Sequence, residues 1–201
     1  MPTFEYDRRY VERGIDLLES YLLAEAAYWP LDIKPPSGEP PYPMLTLEGL
    51  LLARQRMLAH RGNLSYENQV TKLSLALETI QSRWQVAWEK KTEQAYHTRL
   101  TMWGNFLEEY WAAPESNADR FAYEVRLRVF LTLLENSNSR INPGQVGLLS
   151  RLDGYLKIVL YPGKFIWEDN YQACFPNEKF WYLYGDLPLL LPEHLSGLEK
   201  R

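Results

Sequence analysis

Between Gly62 and Gly104 the chain contains neither glycine nor proline, and this constrains the fold more than any other feature. Those two residues are the strongest local breakers of regular structure, so nothing in this stretch marks a turn. Within it, Val70, Leu73, Leu77, Ile80, Trp84 and Ala87 follow steps of three and four, the spacing of a coiled-coil-like seam. The seam fades across the charged patch from Glu89 to Gln94 and resumes near Ala95, Met102, Phe106 and Tyr110. A straight helix from Tyr66 to Trp111 would reach roughly 70 Å at the standard helical rise. A compact globule of 201 residues is only about 40 Å across. The sequence therefore requires a break near the charged patch, an elongated molecule, or a second copy packed alongside. With no residue suited to a hairpin, it favours one long, kinked helix.

Other helices follow from periodicity and punctuation. Ile15, Leu18, Leu22, Ala26 and Trp29 share a face and predict a helix from about Asp7 to Trp29, stopped by Pro30. Six of the 13 prolines follow between Pro30 and Pro43, a stiff, extended linker close to polyproline II. It reads as a crossover between helices, with a docking peptide for a partner's aromatic groove as the sharper alternative. Thr46 is placed to cap a second helix ending near His60, a histidine best read as structural in that last turn. Past Pro114, Ser116 or Asn117 opens a helix to about Glu135, and Asn136 to Ser139 reads as a loop. Asn142 followed by Pro143 is a cap and first-position pair that opens a further helix to Val159.

From Tyr161 to Gly185 the periodicity is lost and aromatics crowd in: Tyr161, Phe165, Trp167, Tyr171, Phe175, Phe180, Trp181, Tyr182 and Tyr184. They fit neither one helical stripe nor an alternation, which predicts an irregular strap packing in several directions. Trp and Tyr also serve at interfaces and in pockets, and Trp167, Tyr171, Trp181 and Tyr184 are the candidate contact residues. Lys164 and Lys179 stand against Glu168, Asp169, Glu178 and Asp186 there, which opposes stacking on a nucleic acid.

The formal net charge of −4 argues in the same direction, because nucleic-acid binders carry a basic footprint. The N-terminus lacks the apolar core of a signal peptide, and no apolar run reaches bilayer length. With Cys174 the sole cysteine, no intrachain disulfide forms. These features predict a soluble, cytoplasmic protein without membrane or nucleic-acid partners.

No phosphate loop, nucleophile elbow, CxxC pair or HExxH motif is present. His60, His97 and His194 are widely separated, and the sequence implies no metal and no cofactor. Glu93 and His97 share a helical face at i and i+4, a spacing that more often makes a surface pair than a ligand edge. Glu25 lies in the most apolar part of the first helix, where burial would demand a partner. It is expected to be buried and paired, with Arg54, Arg56, Arg126 and Arg128 as candidate partners and Arg126 preferred over Arg128.

Together these readings predict an all-α chain: one domain over 1–201, a body of about five helices over 1–160, a proline-rich crossover, and the aromatic segment 161–192. The leading function is a non-enzymatic helical interaction or scaffold module that self-associates or binds a protein. The alternative is a ligand-binding or enzymatic helical bundle with its pocket near Glu25 and the C-terminal aromatics.

Overall fold

The computed structural model describes residues 2–60, 62, 64–138 and 140–190. Among these the chain is mostly helical and of the all-α class. Six longer helices are α1 (Phe4–Leu23), α2 (Leu47–Met57), α3 (Leu64–Arg83), α4 (Gln85–Ala112), α6 (Phe121–Ser137) and α7 (Pro143–Val159), and two single turns are α5 (Pro114–Asn117) and α8 (Asn177–Phe180). The two-residue strands β1 (Tyr161–Pro162) and β2 (Gly185–Asp186) pair antiparallel. Leu191, Pro192 and His194, the end of the aromatic segment and the last histidine, lie outside the described residues. The sequence reads as one domain, whereas the structure groups into two compact units. Unit 1 is Met1–Tyr96 with Thr132–Arg140, and unit 2 is His97–Leu131 with Ile141–Arg201.

In unit 1, the Thr3 hydroxyl accepts a hydrogen bond from the Tyr6 amide at 3.3 Å and caps α1. Glu5 and Asp7 in the first turn suit the positive end of its dipole. The helix ends at Leu23, short of the expected Trp29, because the next carbonyls find side-chain donors. Lys91 Nζ donates to the Ala24 and Ala26 carbonyls at 2.7 and 3.0 Å, and Tyr21 Oη donates to that of Ala27 at 3.1 Å. Trp29 then leaves the helix to form a bridge with Leu45. Thr46 caps α2 as expected, accepting from the Gly49 amide at 3.1 Å. α1 and α2 meet closely at Gly14, where an added Cβ would stand 2.8 Å from Leu50 Cδ1 and 3.1 Å from Leu45 Cδ1.

The long breaker-free stretch divides at Trp84, five residues before the charged patch begins at Glu89. The i→i−4 pattern runs as far as the bond from the Trp84 amide to Ile80 and resumes with Trp88 to Trp84. No break is needed at the patch, because Lys91 and Thr92 are buried there rather than solvated.

In unit 2, Asn117 ends α4 by donating to the Glu109 and Ala113 carbonyls, each at 3.0 Å. That side chain is thus occupied at the position where it was expected to start the next helix, and α6 begins at Phe121 instead. α6 continues through Asn136 and Ser137, two residues that read as loop. Asn142 caps α7 through the Gly144 amide at 2.8 Å, with Pro143 in the first turn. The aromatic segment is closed on itself by β1 and β2, an approach that requires glycine at 185. A Cβ there would fall 2.3 Å from the Tyr161 carbonyl oxygen.

Candidate functional site

The five residues singled out as contact candidates fall in both units. Glu25 is in unit 1, exposed in the turn after α1, so the expectation that it is buried and paired is corrected. The helix ends before reaching it, and the apolar sequence around it does not become a buried face. The arginines proposed as its partners are engaged elsewhere. Arg54 bonds Ser74 and Glu78, Arg56 bonds Asp7, and Arg126 lies 3.6 Å over the exposed ring of Tyr123.

The other four are in unit 2. Tyr171 is buried. Trp167 sits edge-on to Phe175 at 5.3 Å and donates its indole N–H to the Ala122 carbonyl at 3.2 Å. Tyr184 tilts against Phe165 and donates its hydroxyl to the Phe175 carbonyl at 2.8 Å. Trp167 and Tyr184 thus converge on Phe175, itself fully buried. Trp181 packs edge-on to Tyr182, with Lys157 Nζ 5.0 Å from its ring centre. These contacts engage Trp167, Trp181 and Tyr184 with neighbours from unit 2 itself.

Glu93 and His97 are both exposed, and the His97 ring meets the Gln145 amide at 3.1 Å. His60 packs edge-on against Phe4 at 5.2 Å, a structural placement. Among the described residues no group of three metal-ligating side chains converges, and no helix is long and apolar enough to cross a membrane.

Asp7 and Lys91 are buried charges that the sequence reading missed, and Arg128, there ranked below Arg126, is buried against a carboxylate other than Glu25. Asp7 is 1% exposed and takes a bidentate pair of bonds from Arg56 at 2.8 and 2.5 Å. Burial pushes its carboxyl above the usual range, while the Arg56 guanidinium pulls it back. Lys91, 4% exposed, answers two carbonyls and the ring of Tyr21 at 4.6 Å, and desolvation lowers its pKa. Arg128 grips Asp153 at 2.8 and 2.7 Å and lies 4.7 Å over Tyr182. A signal did exist for two of them. Lys91 falls on the continuation of the Trp84 and Trp88 spacing, and Arg128 lies between Val125 and Thr132 on one helical stripe. Their partners are distant in sequence, so the pairings were not legible.

One surface stands apart from these internally satisfied groups. α7 turns Leu148, Tyr155 and Ile158 outward at 39, 54 and 53% exposure. Gly147 and Gly154, each just before one of these residues, have nothing within 4 Å of an added Cβ. Trp111, half-buried on α4, flanks this face with its ring 6.5 Å from that of Tyr155. Comparison with known proteins finds no matching family model, no matching curated protein and no matching solved structure.

Proposed function

We propose that this chain is a non-enzymatic helical interaction module of the cytoplasm whose partner is a second copy of itself, held through the outward face of α7. The exposed run of Leu148, Tyr155 and Ile158 on one well-formed helix carries the reading. Glycine inside a helix costs about 1 kcal/mol relative to alanine, so Gly147 and Gly154 on an open face are explained by another helix that must come close.

The pattern is also self-complementary. When two copies of α7 cross antiparallel about Arg151, residues equally far on either side of it face one another. Gly147 then meets Tyr155, Leu148 meets Gly154, and Gly144 meets Ile158, so each of these three pairs joins a large side chain to a small one, while the two Arg151 side chains flank the crossing point and extend to solvent. Such a face buries on the order of 600 Å² per copy, the low end for a specific interface, which suits a reversible dimer of micromolar affinity. In this reading the aromatic segment is a strap that completes the core of unit 2, and the face of α7 is left for association.

Analytical ultracentrifugation between 5 and 500 µM tests the proposal. The native chain should move from monomer to dimer, and Tyr155→Glu or Gly147→Leu should hold it monomeric. A monomer throughout this range for the native chain would overturn it.

A further inference from the structure

On unit 1, Arg8, Arg9, Glu12, Arg13 and Asp16 of α1 line a cleft of about 360 Å³ together with Ile33 and Lys34 of the proline-rich segment. Four cations meet the carboxylates of Glu12 and Asp16 there, with Glu5 a third beside Arg8 and Arg9, a net positive spot in a chain whose formal net charge is −4. The arginines are held in place before any ligand arrives. Arg8 is fixed by Glu5 at 2.7 Å and Glu12 at 2.8 Å, and Arg9 Nε bonds Glu5 at 2.6 Å. Arg13 Nε donates to the Leu31 carbonyl at 3.0 Å, and its Nη1 is 4.0 Å from Asp16.

Lys34 follows an uncommon backbone conformation. Asp32 takes φ of 53°, in the left-handed region that non-glycine residues seldom occupy. Backbone strain of this kind concentrates where the chain must present a group in one place. Lys34 has no ion-pair partner among the described residues, and Arg9 and Arg13 repel one another at i and i+4. The carboxylates hold Arg9 and Arg13 in place without taking all of their N–H donors, and beside Lys34 those remaining donors suit an oxyanion, which guanidinium groups grip through paired N–H donors.

We infer that this cleft binds the phosphoryl group of a small sugar phosphate, with Arg9, Arg13 and Lys34 as its ligands. The volume exceeds what a phosphate fills, and Glu12 and Asp16 offer acceptors to hydroxyl groups on the rest of the molecule. The same two carboxylates oppose an extended polyanion. This site is separate from the α7 face, and its test reads a different property.

Isothermal titration calorimetry on the full chain, at 20 and 150 mM NaCl, would use ribose 5-phosphate, inorganic phosphate and ribose as probes. Ribose 5-phosphate should bind saturably and more weakly at the higher salt, inorganic phosphate should bind less tightly, and ribose should not bind. Arg9→Ala and Lys34→Ala should each weaken ribose 5-phosphate by about tenfold or more, the usual loss for a charged hydrogen bond. Both side chains are exposed enough that their loss leaves the fold intact, which circular dichroism checks. Absence of saturation by 10 mM ribose 5-phosphate at low salt, or unchanged affinity in both the Arg9→Ala and Lys34→Ala variants, overturns the site. Equal affinity for inorganic phosphate overturns the sugar assignment.

Discussion

Two segments of the described chain carry no long helix, and they are held by opposite means. The proline-rich segment of unit 1 is pinned by donors from the helices around it. Tyr6 Oη bonds the Pro41 carbonyl and Tyr10 Oη that of Met44, at 3.3 and 3.2 Å. Arg13 holds Leu31, and Lys91 and Tyr21 hold the turn leading in. The aromatic segment of unit 2 instead buries its own rings, with Phe165, Tyr171, Phe175, Phe180 and Tyr182 all shielded from water. Composition explains the contrast. A proline brings a carbonyl without an N–H and little apolar area, so its segment is retained by satisfying carbonyls. An aromatic brings an area large enough to retain the chain by burial.

The contrast predicts a ranking of losses. Phe175→Ala in the aromatic segment should cost about 3–5 kcal/mol of unit 2 stability, read by denaturation with hydrogen exchange as the local probe. Arg56→Met in unit 1 should cost about 3 kcal/mol by stranding Asp7, and adding Asp7→Leu should recover most of it. Were the single and double variants equally unstable, packing and not charge would govern that contact. Lys91→Met keeps the volume but removes the donor to Ala24 and Ala26. It should cost about 1–3 kcal/mol and speed amide exchange around Trp29 and Leu45 while leaving unit 2 unchanged. Tyr10→Phe removes one donor from the proline-rich segment and should cost about 1 kcal/mol. A loss from Tyr10→Phe as large as that from Phe175→Ala would erase the distinction between the two modes.

The smallest effect is a pH dependence. The hydrogen bond from Arg8, helped by Arg9, lowers the Glu5 carboxyl from 4.5 to about 2. Since the folded chain holds that proton less tightly than the unfolded one, the contribution is present above 4.5 and fades as pH falls toward about 2. Glu5 is partly exposed and screened by solvent, so the loss should be a few tenths of a kcal/mol. Comparing native and Glu5→Gln chains by thermal melts at pH 6 and pH 3 isolates it.

Several elements were legible because their causes are local. Thr46 and the Asn142–Pro143 pair marked helix starts that depend only on the next few amides. The burial of most aromatic rings follows from their density and irregular spacing. The end of α1 was not legible, since it depends on Lys91, 67 residues from Ala24. Glu25 misled for the same reason: an apolar neighbourhood in sequence implied burial only if the helix continued.

What the sequence determined by itself was the helical class, the capped starts of α2 and α7, and the presence of two segments without a long helix. Each rests on steric and hydrogen-bonding preferences acting over a few residues. Tertiary structure alone decided where α1 stops, that the breaker-free stretch divides at Trp84, that Asp7 takes Arg56, and which face of α7 stays open. Those outcomes depend on donors, acceptors and apolar surfaces brought together from distant parts of the chain, where their mutual satisfaction outweighs local preference.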